Sequence, residues 1–345
     1  MARSIHDIAF TMKYLRLFLL WVLLPAVLLV AAAGGAAWYW TTHPLAMSQE
    51  KIDFVVAPGS TPGSIAASLQ EQGVDINPRA FSWLARYRGD DVRIKAGGYE
   101  AMRGDTPLQL LERLSSGTMS QRQLTFVEGW SYAQIRAALR GHPDVKQTLD
   151  GVSDQALLER LGSNFEAPEG LFFPDTYIFT PGTSDFDILA QAYRAQIREL
   201  EQAWAQRQAD LPLKTPYELL TLASIIEKET GHHEDRGKVG GVFINRLRIN
   251  MPLQTDPTVI YGMGERYQGR IRKRDLETDT PWNTYTRRGL PPTPIASPGR
   301  ASLLAAVAPD EHGYYYFVSR GDGSSAFAAT LAEHNRNVVR FILNR

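Results

Sequence analysis

From Leu17 to Trp40 the chain carries no charged residue, a run of 24 dominated by Leu, Val and Ala. About 20 apolar residues suffice to cross the hydrocarbon core of a bilayer, so the run predicts a transmembrane helix over 17–40. Arg3, Lys13 and Arg16 precede it, and Trp38, Tyr39 and Trp40 close it. That is the pattern of a cytoplasmic basic flank and an interfacial aromatic belt. Residues 1–16 are then a cytoplasmic tail, and everything beyond the span lies outside the cytoplasm. A cleaved export signal is the competing reading, with Ala31-Ala32-Ala33 as its processing site, although the run is longer than a usual signal core. Both readings export the body of the chain; a buried helix of a soluble protein is the remaining option.

The 345 residues leave room for roughly two further domains. Lys and Arg together number 37, as do Asp and Glu, so nothing in the net charge calls for a nucleic-acid partner. Cysteine is absent, which excludes disulfides, a thiolate nucleophile and cysteine metal sites. Residues 45–120 read as a small module. Ile52–Val56 is a short strand, Thr61-Pro62 opens a helix, Arg79–Tyr87 is amphipathic, Lys95–Tyr99 turns into a strand, and Thr106-Pro107 starts another helix. With "APGST" ahead of its first helix, the module resembles a LysM-type glycan-binding unit; the alternative is a spacer that packs without binding.

Residues 121–345 form the second unit. It opens with a strand and turn over Leu124–Gly129 and a helix from Ser131 to Leu139. An aromatic-rich stretch, Glu169–Tyr177, has strand or loop character, and a long polar helix runs from about Phe186 to Ala209. Helices and short strands without regular βαβ alternation predict an α+β fold.

The segment Thr215–Gly231, "TPYELLTLASIIEKETG", carries consistent helix signals: Thr215 as N-cap, Pro216 in the first turn, Glu218 at a capping-box position and Gly231 as the stop. Glu218 thus has a sufficient structural task. At 100° per residue, Leu219, Leu222, Ile225 and Ile226 fall within roughly 80° of Glu229, whereas Glu227 falls on the side of Leu220, Ala223 and Ser224. A carboxylate on an apolar stripe is costly unless paired or protonated, and desolvation raises its pKa toward neutrality. The structural alternative is a frayed last turn, or a pairing of Glu229 with Arg236 or Arg246.

Beyond this helix come "VFINRL" from Val242, "LQTDPTVIYG" from Leu253, "NTYT" from Asn283, "GLPP" from Gly289, "PIA" from Pro294 and "TLAEHN" from Thr330. Together with "ASIIEKE" and the N-terminal span, this ordered series closely resembles the endolytic murein transglycosylases of the MltG (YceG-like) family. The resemblance runs the length of the chain and is most specific from Leu222 to Pro298. It implies an inner-membrane enzyme whose external catalytic domain cleaves MurNAc–GlcNAc bonds within nascent glycan strands, leaves 1,6-anhydroMurNAc ends and terminates elongation. The catalytic glutamate of the motif corresponds to Glu229, the residue singled out by the helical wheel. A lytic transglycosylase needs one carboxyl, which protonates the glycosidic oxygen and then takes the proton of the sugar's own 6-hydroxyl. The two-carboxylate scheme of ordinary glycosidases is therefore not required.

Gln254, Thr255, Asn283 and Thr284 are candidates for hydrogen bonds to sugar hydroxyls or N-acetyl groups. Tyr261, Trp282 and Tyr285 could offer ring faces or pack in the core. Asp256 is the second carboxylate candidate and, preceding Pro257, equally a turn-former. Thr293 stands where the family's "GLPPGPI" turn has glycine, and Ser297 where Asn is commoner. His232-His233-Glu234-Asp235 lacks the H-E-x-x-H spacing of a metal helix, so no metal and no cofactor is expected, and His334 reads as structural. Peptidoglycan strands and the inner membrane are the implied partners, with peptidoglycan synthases as implied neighbours. Two other functions remain open at this level: a non-catalytic, membrane-anchored wall-binding scaffold, and a two-carboxylate hydrolase.

Overall fold

The structure, a computed structural model, describes residues 18–343. The predicted cytoplasmic tail, its basic residues and Leu17 lie outside the described residues. After a π-helical turn, Leu19–Leu23, helix α1 spans Leu24–Thr42. The stretch Leu20–Thr42 is long and apolar enough to cross a membrane. None of the residues of α1 is buried, which removes the reading of a buried core helix.

By its contacts the chain divides into one unit that extends to Gln121 and includes 180–182, and a second made of Arg122–Phe179 and the residues from Thr183 onward. In the first, β1 (Lys51–Val56) pairs antiparallel with β2 (Gly97–Met102), setting Phe54 opposite Tyr99. Between them lie α2 (Pro62–Glu71) and α3 (Pro78–Arg88), and α4 (Pro107–Ser116) follows. The helices start where local chemistry dictates. Thr61 and Thr106 accept hydrogen bonds from Ser64 N and Gln109 N, each followed by proline at the first helical position. Phe54, Ile65, Leu69, Phe81, Tyr99 and Leu110 fill the core between sheet and helices.

The second unit is mostly helical. β3 (Arg122–Thr125) pairs antiparallel with β4 (Thr176–Phe179), and β5 (Tyr316–Ser319) with β6 (Ser325–Ala328). The aromatic stretch Glu169–Tyr177 is thus mainly loop, with strand only from Thr176. Around these ribbons lie α5 (Tyr132–Gly141), α6 (Asp154–Leu161), α7 (Asp185–Ala205), α8 (Pro216–Glu229), α9 (His233–Arg248), α10 (Asp256–Met263), α11 (Lys273–Glu277), α12 (Arg300–Val307) and α13 (Leu331–Val338). Mixed helices and small antiparallel ribbons make the fold α+β.

Helix α8 is the axis of this unit, packed by α7, α9, α10 and α12. Every residue from Leu219 to Ile226 is buried. From Leu219 to Ile226 the helix therefore has no solvent face, and the single apolar stripe drawn from the sequence is corrected to burial all round there, with Lys228 of the last turn exposed. Each fully buried Leu or Ile here contributes about 1.5–3 kcal/mol. The helix also stops earlier than Gly231: Glu229 is its last residue, and Thr230 is already extended (φ −143°, ψ 128°).

Close approach of α9 and α12 depends on Gly240. A methyl group there would stand 2.6 Å from the Ala305 carbonyl oxygen, a backbone atom that cannot swing aside. Gly240→Ala is expected to lower stability by about 1–3 kcal/mol through overpacking. Gly141→Ala, whose methyl meets nothing within 4 Å, should stay within about 0.5 kcal/mol of wild type. Thermal unfolding of both variants checks the pair.

Candidate active site

The two carboxyls at the end of α8 both point inward, and their partners tell them apart. Glu227 accepts a hydrogen bond from Gly299 N at 2.9 Å and faces Arg236 Nη2 at 3.5 Å. It ties the start of α12 to α8 and is satisfied. Glu229 receives one neutral donor, the hydroxyl of Thr255. Burial pushes its pKa up from 4.5 to about 7, with the charge of Asp256 acting in the same direction. The Thr255 hydroxyl and the Arg246 cation pull the other way. Its position at the negative end of α8 further disfavours the charged form.

Glu229 lies in a cavity of about 370 Å³ together with Phe243, Arg246, Leu253, Gln254, Asp256, Tyr285, Tyr316, Phe317, Leu331 and His334. Arg246, near the end of α9, is buried; its Nε donates to Tyr315 O at 2.7 Å and its Nη1 to Leu253 O at 2.6 Å. Its guanidinium carbon stands 5.4 Å from the centroid of Tyr316, and the Tyr316 ring stacks on His334 at 5.3 Å. Burial, then the charge of Arg246, lowers the His334 pKa, so the ring is neutral at pH 7. Its buried Nδ1 has no hydrogen-bond partner.

Of the residues proposed from sequence, Gln254, Asp256 and Tyr285 line this cavity with Glu229. Gln254 has φ 48°, a left-handed conformation that a non-glycine residue adopts at a cost of about 1–3 kcal/mol. It ends the loop that leads into α10. Asp256, the first residue of α10, accepts the Tyr285 hydroxyl at 2.6 Å. Burial first, and that bond second, raise the Tyr285 pKa.

Thr255, Asn283 and Thr284 are buried rather than presented to the cavity. Thr284 Oγ1 accepts from Thr255 N at 3.1 Å and shares a 2.9 Å hydrogen bond with the Thr258 hydroxyl. Asn283 Nδ2 donates to Leu276 O at 2.9 Å and Thr278 O at 2.7 Å, and its Oδ1 accepts from Tyr285 N at 2.9 Å. These side chains hold the loop that holds Glu229 and Tyr285, instead of offering groups to a ligand. Tyr261 lies elsewhere, its hydroxyl bonded to Glu169 and its ring edge-on to Trp282 at 5.4 Å.

Glu169 is a second inward carboxyl. Burial raises it to about 7, while Tyr132 N, at 3.0 Å, and the Tyr261 hydroxyl oppose that rise. It does not line the Glu229 cavity. Thr293 accepts from Trp282 Nε1 at 2.9 Å, so the residue in the glycine position locks the turn to an aromatic ring. Ser224 Oγ accepts from Ile295 N at 3.0 Å and fixes the same loop to α8.

From sequence alone Arg246 reads as a salt-bridge alternative and His334 as structural, and Tyr316, Phe243 and Phe317 do not stand out as site residues. These come from α9, β5 and α13, and their convergence is a tertiary fact. His334 lines the Glu229 cavity although its Nδ1 is buried. Among the described residues no group of His, Asp and Glu is arranged to hold a metal ion.

A model of the YceG-like family matches residues 54–340, and the chain belongs to that family. A relative from Bacillus subtilis (strain 168), named endolytic murein transglycosylase, is 33% identical over 318 residues, covering 86% of this chain and 87% of the relative. A protein of the same name from Streptococcus pneumoniae (strain D39) is 28% identical over 91% of this chain, but this chain spans only 63% of that relative. The crystal structure of a YceG-like protein from Listeria monocytogenes superposes with a TM-score of 0.53 at 30% identity, covering 84% of this chain and 99% of that one.

A carboxyl whose folded pKa, about 7, exceeds its unfolded value, 4.5, binds its proton more tightly in the folded state. Its contribution to stability is complete below pH 4.5 and is lost as pH rises through 7. Glu229→Gln should therefore stabilise the protein at pH 8 by on the order of 2 kcal/mol, allowing for partial exposure, with the difference vanishing near pH 4.5. Unfolding midpoints of both proteins across that range check the sign.

Proposed function

We propose that the protein is an endolytic murein transglycosylase in which Glu229 is the single acid and base. The observation that carries this reading is a carboxyl held near pKa 7 at a cavity wall, with no cation in direct contact to keep it ionised. The names of the relatives supply the substrate class.

In the first step Glu229 donates its proton to the oxygen of the MurNAc–GlcNAc bond, and the C1–O bond breaks. The new carboxylate is stabilised by the Thr255 hydroxyl and by the charge of Arg246, the two groups that pull its pKa down. It then removes the proton from the 6-hydroxyl of the same MurNAc, whose oxygen closes on C1. Atoms balance without water: one glycosidic bond is lost, one 1,6-anhydro bond is formed, and Glu229 ends protonated. A pKa near the working pH suits a group that must give and take a proton in one cycle. Asp256, the other carboxylate at the cavity, is engaged by Tyr285; its charge keeps the proton on Glu229. Gln254 would hydrogen-bond sugar groups, and Tyr285 would offer a ring to a sugar.

The helix Leu20–Thr42 supports a single-pass anchor, read here as crossing the inner membrane with the N-terminus in the cytoplasm and the catalytic unit in the periplasm. The first unit, with paired strands flanking helices and Ala57–Thr61 leading into α2, supports a LysM-like role in holding glycan. Cutting nascent strands from the membrane would end their elongation beside the synthases.

Digestion of purified glycan strands by the full chain in detergent tests this. Wild type should yield anhydro-ended fragments by mass, and Glu229→Gln should lose at least about 1000-fold in rate. Equal anhydro products from both proteins would remove Glu229 from the chemistry. Hydrated reducing ends would make the protein a hydrolase, and binding without cleavage would make it a scaffold.

The pH profile gives an independent check. Because the acid must be protonated, kcat/KM should fall as pH rises through about 7. Thr255→Val removes a bond that favours the carboxylate, so this limb should move to higher pH while the maximal rate drops about tenfold or more.

A further inference from the structure

The chain is neutral overall, yet Arg266, Arg270, Arg272, Lys273 and Arg274 crowd into nine residues between α10 and the end of α11. Four of them, Arg266, Arg270, Arg272 and Arg274, line one concavity of about 400 Å³, whose floor includes Val259 of α10. Its single acidic residue is Asp275. Asp275 already accepts Arg272 N at 2.7 Å and stands 3.7 Å from Arg274 Nε. Among the described residues, Arg266, Arg270 and Arg272 have no carboxylate within ion-pair distance. Lys273 has its own partner, Glu277, at 3.7 Å.

Guanidinium groups repel one another when gathered in a concavity, and among the described residues only Asp275 lies there to offset them, 3.7 Å from Arg274 Nε. Packing does not require them either, because all four arginines are exposed. Planar guanidinium forks match carboxylates two bonds at a time. The concavity shares helix α10 with the catalytic cavity: Asp256 stands at one end of the helix, Val259 and Met263 further along. At 1.5 Å per residue the concavity begins about 5 Å and extends to about 10 Å along that helix from Asp256, within the reach of a disaccharide unit.

We infer that the arginine-lined concavity of α10 and α11 is a subsite for the free carboxylates of the peptide stems on a murein strand. The inference rests on the murein transglycosylase reading and adds to it a recognition element for stem-bearing glycan. A strand threaded past Glu229 carries peptides at regular intervals, and a stem on the sugar next to the cut would fall beside α10. Engagement there aligns the strand and favours cleavage of peptide-bearing over naked glycan.

The test compares three glycan substrates: strands with stems, strands stripped of stems by an amidase, and strands whose stem carboxylates have been chemically amidated. Wild type, full chain in detergent, should show a KM about tenfold lower for stemmed strands than for the other two. Arg270→Gln/Arg272→Gln should erase that difference while cutting stripped strands at the wild-type rate. Arg270→Lys/Arg272→Lys, which keeps charge but loses the fork, should retain part of it.

Equal cleavage of all three substrates by wild type would overturn the inference, as would a Gln pair equally impaired on stripped and stemmed strands. A wild-type preference that survives stem removal but disappears with the strand's lipid pyrophosphate end would assign the concavity to the carrier and overturn it too. Failure of wild type to cleave any of the three would instead overturn the transglycosylase reading on which it rests.

Discussion

Burial of α8 on all sides from Leu219 to Ile226 governs the rest of the second unit. A helix without a solvent face must be packed by others throughout, and α7, α9, α10 and α12 do so. Gly240 lets α12 approach to backbone contact, and Ser224 anchors the proline-rich loop at Ile295. The helix then ends abruptly at Glu229, because Thr230 turns extended. Glu229, the last residue, is half-buried at the wall of a cavity. Its neutral form is favoured by the same packing that stabilises the helix, so the fold and the acid have one origin.

The groups around Glu229 divide between those that keep the proton on and those that ease it off. Burial and Asp256 favour the acid; Thr255 and Arg246 favour the carboxylate. Between them the carboxyl's pKa comes to rest at about 7. Thr255 is itself held by Thr284, and Tyr285 by Asn283. The polar residues read from sequence as sugar contacts thus act largely one layer behind the cavity. The layer in front is Gln254, Tyr285 and Tyr316, with His334 stacked on Tyr316.

Local chemistry was legible in the sequence wherever it is local in the structure. Thr215 and Pro216 announce the start of α8, and Thr61 and Thr106 announce α2 and α4, because caps are decided within four residues. The long apolar helix near the N-terminus is legible from composition alone. Glu229 was reached by a wheel that assumed one apolar stripe; its true distinction from Glu227 is the Gly299 amide and Arg236 that satisfy Glu227, neither of which a wheel contains. Tyr261 sat in a promising motif, yet its hydroxyl answers Glu169, a partner some 90 residues away. Arg246, Tyr316 and His334 meet only through the packing of α9, β5 and α13, so no spacing rule could join them.

Glu229 keeps its proton up to about pH 7, well above the ordinary carboxyl range. The most direct measurement is isotope-edited infrared titration of the glutamate carboxyls of the full chain, with Glu229→Gln as the difference reference. A carbonyl band of a protonated carboxyl, present in wild type alone and lost with a midpoint near pH 7, is the result this account predicts. A difference band that titrates near 4.5, the ordinary glutamate value, would contradict it.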